Sequence, residues 1–244
     1  MHVIRSWKAS RPWLVLIFLL AISTSAKSAL DEPAALAARQ QLETFNGVIG
    51  EWRGTGQLRR GSTQGAWRET GEFVWDFSQA LPAIRYVIKD GKQAASGRIT
   101  WNAPAQQFDL ALQTLDAGER QLSGTWKGNE LAFSGPADAS GVQHRVTITV
   151  LNEKRVLVLF EKTTPNGQAF VRVAEVGYTR EGTHLADAGA TARECVVTGG
   201  TGTMTVSYKG ETYYVCCTGC RQAFEADPEK IIAEFKERIQ KRQK

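Results

Sequence analysis

Apolar and polar positions alternate through most of the chain between Val48 and Thr179. In GEFVWDF, Phe73, Trp75 and Phe77 point one way while Glu72, Val74 and Asp76 point the other. In VTITV, Val146, Ile148 and Val150 share a face opposite Thr147 and Thr149. Successive side chains of a strand leave opposite sides of the sheet, so this period of two reads as half-buried strands. Comparable runs occur at RYVIK, GRITW, QFDLALQT, RQLSGTW, ELAFSG, RVLVLFEK and FVRVAEVGYT. Between some of them KDGK, KGNE and PNGQ carry Gly beside Asp or Asn, which tolerate positive φ. About ten short strands at this spacing predict a mainly β fold, an antiparallel barrel or sandwich, and closure would leave no exposed edge. Ahead of them, Pro33 to Phe45 predicts a short helix with Pro33 in the first turn, where no N–H donor is needed.

The period changes toward the C-terminus. Met204, Val206 and Tyr208 alternate with Thr203, Thr205 and Ser207, Lys209-Gly210 turns the chain, and Thr212 to Val215 is aromatic and β-branched. That predicts a β-hairpin. A short helical turn holding Phe224 follows Cys220; Asp227 then caps a second helix, with Pro228 first and Glu229 in its first turn. Ile231, Ile232, Phe235 and Ile239 lie on one side of that helix. Lys236, Arg238, Lys241, Arg242 and Lys244 load its end, which suits the negative pole of the dipole and a solvated tail. Residues 181–193, EGTHLADAGATAR, have no sustained apolar period and read as a linker. The expected organisation is a β-barrel domain over 34–180, the linker, and a small α+β module over 194–240.

The first 28 residues fall outside both parts. Arg5, Lys8 and Arg11 precede an apolar run of ten residues, Trp13 to Ile22, and the small residues STSAKSA follow. This is the layout of a secretory signal peptide cleaved after Ala26 or Ser28. Ten residues rise only ~15 Å as a helix, half of a bilayer core, so no stable membrane span is expected. Cleavage changes the charge argument. The whole chain has 30 basic and 25 acidic side chains, but the leader holds Arg5, Lys8, Arg11 and Lys27 and no acid. The mature chain is therefore nearly neutral, and nothing in its charge suggests a nucleic-acid partner. With 42% hydrophobic and 23% charged residues, the composition is that of an ordinary globular protein. The expected location is periplasmic or extracellular.

The segment Gly50-Glu51-Trp52-Arg53-Gly54-Thr55-Gly56 resembles the G-x-W first strand of lipocalin-like barrels, and its longer form is similar to that of nitrobindin-type haem barrels. The resemblance implies an interior able to take an apolar small molecule or haem. In nitrobindin-like proteins a His near the last strand holds the iron, but FVRVAEVGYT has none. His144 shares parity with Val146 and Ile148 and could face inward; His184 falls in the linker. A lone His without an oriented partner is more simply a hydrogen-bonded residue at a strand start, so haem is the lesser expectation. Glu51, Glu69, Glu72 and Asp76 read as solvated outward positions. The sequence has no Gly-x-Ser-x-Gly, P-loop or His-Glu-x-x-His motif, and the expectation is a non-enzymatic protein.

All four cysteines, Cys195, Cys216, Cys217 and Cys220, lie in the last quarter of the chain. A disulfide framework spreads its cysteines over the fold it staples; three within five residues point instead to a metal or redox site. Cys216 and Cys220 are four apart, so a chain coiling after the hairpin places both sulfurs on one face. Cys195 precedes the hairpin, which folds it back over that face. Three thiolates would then converge on one cation, a staple that a unit of about 50 residues needs.

The run Cys195-Val196-Val197-Thr198-Gly199, the hairpin Tyr208-Lys209-Gly210-Glu211-Thr212-Tyr213-Tyr214 and the block Cys216-x3-Cys220-x3-Phe224-x3-Pro228 resemble the YHS domain of the TRASH superfamily of metal-binding modules. The resemblance implies Cys195, Cys216 and Cys220 as metal ligands and leaves the role of Cys217 open. Gly200 departs from the family, where Met often stands. Thiolate ligands select zinc or copper: three sulfurs suit trigonal Cu(I), and a fourth donor from Cys217 or a carboxylate would suit tetrahedral Zn(II). Two other readings remain. The metal could be purely structural beneath a ligand-carrying barrel, or Cys217-Thr-Gly-Cys220 could be a C-x-x-C redox pair, although a hairpin is not the βαβ setting of thioredoxin-like motifs.

Overall fold

The computed structural model describes residues 33–164, 167, 169–181 and 193–242; the leader, most of the linker with His184, and Lys244 lie outside the described residues. Helix α1 (Pro33–Leu42) continues into a 3-10 turn, Glu43–Phe45. Ten strands follow: β1 (Gly50–Gln57), β2 (Trp67–Asp76), β3 (Ala83–Lys89), β4 (Ala94–Asn102), β5 (Gln107–Thr114), β6 (Gly118–Lys127), β7 (Glu130–Ser134), β8 (His144–Asn152), β9 (Arg155–Thr163) and β10 (Phe170–Arg180). Each pairs antiparallel with its neighbours in sequence, and β10 returns to β1 in a register running from Trp52–Arg180 to Gln57–Glu175. Of the two all-β arrangements the alternation allows, the chain takes the closed barrel, which leaves no edge to pair with another molecule.

The glycines of β1 are a packing device. Trp52, Gly54 and Gly56 share the inner face. A Cβ on Gly54 would stand 2.6 Å from the Tyr178 ring, and one on Gly56 only 2.1 Å from the Trp67 ring. The first strand thus gives up side-chain volume so that aromatic rings from β10 and β2 can enter. Phe73 stacks on Tyr86 with ring centroids 4.3 Å apart, extending the same aromatic filling. At one end the 3-10 turn closes the barrel: Phe45 is fully buried and meets the rings of Phe108 at 5.2 Å and Trp126 at 5.4 Å.

One expectation is corrected here, and that for His144 is met. Glu69 is not a solvated outward residue; it is 6% exposed and lies inside the barrel. Tyr178 donates its hydroxyl proton to Oε1, the Trp67 indole N–H donates to Oε2 at 2.5 Å, and Tyr86 donates to Tyr178 at 2.5 Å. Both carboxylate oxygens are satisfied, as burial demands. Burial still outweighs these hydrogen bonds and holds the carboxyl above its ordinary range. His144, in turn, keeps parity with the buried Val146 and Ile148, yet its ring sits at the strand start with Nε2 3.2 Å from Asp138 Oδ2. That is the hydrogen-bonded arrangement.

The C-terminal part is the hairpin β11 (Met204–Tyr208) and β12 (Glu211–Val215) followed by α2 (Thr218–Ala226) and α3 (Pro228–Arg242). Lys209 and Gly210 both take positive φ, 49° and 83°, at the turn, the pattern a tight hairpin requires. Helix α2 starts before Cys220 rather than after it, so that cysteine is held by regular helix. Asp227 Oδ1 accepts the Lys230 N–H at 3.1 Å, capping α3. The module lies against the barrel wall. Val74 points away from the interior by alternation but is 1% exposed, because α2 covers it. The approach is so close that a Cβ on Gly219 would lie 1.7 Å from the Trp75 carbonyl oxygen. Barrel and module residues consequently form one continuous buried cluster.

Candidate metal centre

The loop Cys195–Gly200 brings the first cysteine into place. Its turn is closed by Cys195 N–H donating to the Gly200 carbonyl at 2.7 Å and Gly199 N–H to the Cys195 carbonyl at 2.9 Å. Gly199 takes φ 75°, a conformation that glycine adopts without strain. Val196 N–H donates to the Tyr214 carbonyl at 2.8 Å, which fixes the loop beside β12. From the other side, Asn46 Nδ2 donates to the Thr198 carbonyl at 2.9 Å, and Arg39 donates to the Val197 carbonyl. Gly200 also faces Asn46: a Cβ there would meet its side chain at 3.1 Å. This position is thus packed against the turn that leads into the barrel.

Helix α3 clamps this loop with basic side chains. Arg238 reaches the carbonyls of Cys195, Val196 and Val197 at 3.2, 3.1 and 3.4 Å and pairs with Glu194 at 3.1 Å. Arg242 pairs with Glu194 at 2.8 Å. Arg238 is therefore not part of a solvated tail, while Arg242, though paired, stays exposed. Lys241, whose partner is the exposed Glu237, fits that description.

Cys216 follows directly on β12, Cys217 is the N-cap of α2, and Cys220 lies in its first turn. The Sγ atoms of Cys195, Cys216 and Cys220 lie within 4.8 Å of one another, and those of Cys216 and Cys220 are 3.5 Å apart. Thiolates each about 2.3 Å from one zinc ion stand roughly 3.8 Å apart, so the spacing fits a soft metal ion. All three residues are buried, and Thr198 Oγ1 lies 3.5 Å from Cys216 Sγ. Cys217 is outside this mutually close set.

Four thiols this close cannot ionise independently. Burial would push the Cys195 thiol up, but the Cys216, Cys220 and Thr198 groups aimed at it outweigh burial and hold it well below the ordinary thiol range. The Cys216 and Cys220 thiols likewise push Cys217 down, to about 3, and the backbone at the start of α2 acts in the same direction. Cys216 is raised in return by Cys195 and Cys217, and Cys220 by its own burial and by the other three. The four sulfurs thus hold their protons as one linked set. A bound metal ion replaces those protons outright.

Of the sequence-predicted ligands, the structure brings Cys195, Cys216 and Cys220 together and sets Cys217 beside them. Sequence reasoning missed Arg39, Asn46 and Arg238, whose link to the site exists only through packing. It also missed Glu69, although extending the β2 alternation back from Phe73 places that residue on the inner face.

No family model matches the chain, and no curated protein does. Among solved structures it is similar to "EF1p2_mFAP2b bound to DFHBI", with 10% identity and a TM-score of 0.24 over 55% of this chain and 94% of that one. A likeness that remote carries no functional argument.

Proposed function

We propose that this is an exported, non-enzymatic protein that holds a soft transition-metal ion, zinc or copper, through the thiolates of Cys195, Cys216 and Cys220. The observation that carries the reading is the meeting of three buried sulfurs, within 4.8 Å of one another, from two stretches of chain twenty residues apart. Free buried cysteines are common, but their convergence on one point needs a compensating cation once they ionise. The hairpin, the two helices and the cysteine positions are compatible with the YHS resemblance, which favours the same ligands. In this reading the barrel acts as a scaffold. Tyr178 and Trp67 occupy the space that Gly54 and Gly56 leave, and β2 supplies the wall on which the module rests. The leader-like first 28 residues support export to the periplasm or beyond the cell.

Elemental analysis of natively purified protein tests this directly. One equivalent of zinc or copper is expected, and it should disappear in the Cys216→Ser/Cys220→Ser variant. Metal content unchanged by those substitutions refutes the reading. Thiol titration adds a second check: free thiols should appear after chelation, whereas thiols that appear only after reduction would indicate disulfides. N-terminal sequencing of the secreted form would expose an intact Met1 if the leader is not cleaved.

A further inference from the structure

A cavity of about 270 Å³ lies where the module meets the barrel mouth. Its lining includes Glu51, Glu72 and Arg180 from the barrel and Met204, Cys216 and Cys217 from the module. Of the four cysteines, the two that line it are the two with residual exposure, 3% each, while Cys195 and Cys220 have none. The cavity therefore reaches the sulfur cluster from the Cys216 and Cys217 side.

Its walls carry a pair of acids. Glu51 and Glu72 are direct cross-strand partners on β1 and β2. Like charges placed opposite each other on a sheet are destabilising. The Glu72 carboxyl is pushed up first by burial, then by Glu51 and by Cys217, against the pull of Arg85 and Lys89 on β3. Arg180 donates to the carbonyls of Gly47, Ile49 and Glu153 at 2.6 Å each, lies 4.3 Å over the Trp52 ring, and places its charge beside Cys216. Two carboxylates and a sulfur outside the mutually close trio thus face one recess that opens to solvent.

We propose that this cavity is the port through which a soft cation enters and leaves the three-sulfur site, with Cys217 as the transfer ligand and Glu51 and Glu72 drawing the cation in. The inference rests on the metal-binding reading above. The step is a ligand substitution. Each sulfur that bonds displaces one water or carrier ligand from the cation: Cys217 bonds first, then Cys216, then Cys195 and Cys220, and the Cys217–metal bond breaks as the last of these forms. The oxidation state of the metal does not change. Each thiol that becomes a ligand gives its proton to water, and Cys217 is left free for the next exchange.

The test is stopped-flow exchange of Cu(I) with bathocuproine disulfonate and of Zn(II) with pyridylazoresorcinol, beside equilibrium competition with the same chelators. Cys217→Ser should slow loading and release about tenfold, a size usual for losing a residue that supports a metal site, while the equilibrium affinity changes far less. Glu51→Gln/Glu72→Gln, which leaves the sulfurs intact, should slow loading severalfold at low salt, with the deficit fading at high salt as screening removes the attraction. If Cys217→Ser perturbs folding, judged by circular dichroism, the carboxylate variant decides alone. Unchanged exchange rates overturn the port. So does an affinity loss in Cys217→Ser as deep as in Cys220→Ser, because Cys217 would then be a permanent fourth ligand. Wild-type protein that takes up neither metal at equilibrium would instead bring down the metal-binding reading itself.

Discussion

The barrel and the cysteine module solve the same problem with different means. The barrel closes ten strands on themselves, satisfies its backbone laterally, and fills the interior with Trp52, Phe73, Trp75, Tyr178 and Phe133, all 1% exposed or less. The module has one two-stranded hairpin and two helices, and an isolated hairpin is marginal in water. It completes its core with borrowed material: the β2 wall beneath α2, Asn46 and Arg39 holding the Cys195 loop, and, in the reading proposed here, a cation among its sulfurs. A region that buries enough apolar surface is stable without help. One that does not must take its stability from a neighbour or a ligand, and its fold then becomes sensitive to both.

That contrast can be broken most sharply at the sulfurs. Cys220→Ser should abolish stoichiometric metal binding and loosen residues 194–242, while barrel amides stay protected in hydrogen exchange. Structural zinc sites supply on the order of 10 kcal/mol, so the module should lose most of its order. If the barrel loosened equally, the two parts would be one cooperative unit and the contrast would fail.

Next in size is Gly219→Ala. The new methyl would meet the Trp75 carbonyl oxygen, a backbone atom that cannot swing aside, and α2 would have to lift from β2. A loss of about 3 kcal/mol is expected in urea unfolding, the upper part of the usual overpacking range. Altered Trp fluorescence should accompany it, since Trp75 lies beneath the contact.

Arg238→Met should act on the site rather than on the barrel. It removes the donors that hold the carbonyls of Cys195, Val196 and Val197 and leaves them to water. Metal affinity should fall about tenfold in chelator competition, with barrel thermal stability barely changed. Equal affinity would mean that β12 and Asn46 suffice to place Cys195.

The smallest effect is expected inside the barrel. Because burial raises the Glu69 carboxyl above its ordinary range, the folded chain holds that proton more tightly than the unfolded one. The contribution to stability is full below the ordinary glutamate range and is lost as pH rises through the folded value. Glu69→Gln removes the penalty and keeps an acceptor for Trp67. Its Tm relative to the parent should therefore rise between pH 4 and pH 8, by under about 1 kcal/mol or roughly 2–4 °C for a chain of this size. A gap that does not change with pH would show that Glu69 carries no such penalty.

Much of the molecule was legible in the order of residues. The strand period, the Lys209-Gly210 turn and the Asp227-Pro228 helix start are local matters, set by sterics and hydrogen bonds within a few residues, and each appears where the pattern predicts. Cys216 and Cys220 do meet, but not along one helical face as the four-residue spacing suggests: α2 begins only at Thr218, after an extended Cys217, and the two sulfurs come together across the strand-to-helix junction. Local pattern failed where an outer surface acquired a neighbour. Val74 reads as an outward residue and is outward, but α2 buries it. Arg238 reads as part of a basic tail, yet it is turned onto the loop of Cys195, more than forty residues earlier.

By itself the sequence determined the class of fold, the turn positions and the cysteines available to cluster, since each depends on short-range geometry and on the chemistry of side chains. Only the tertiary structure decided that the barrel closes, that Glu69 lies within it, that Cys217 sits beside the mutually close set of three sulfurs rather than in it, and that the barrel wall forms one side of the cavity leading to them. Those outcomes depend on which surfaces far apart in the chain pack together, and packing of that kind is settled by shape and burial over the whole molecule rather than by any local run of residues.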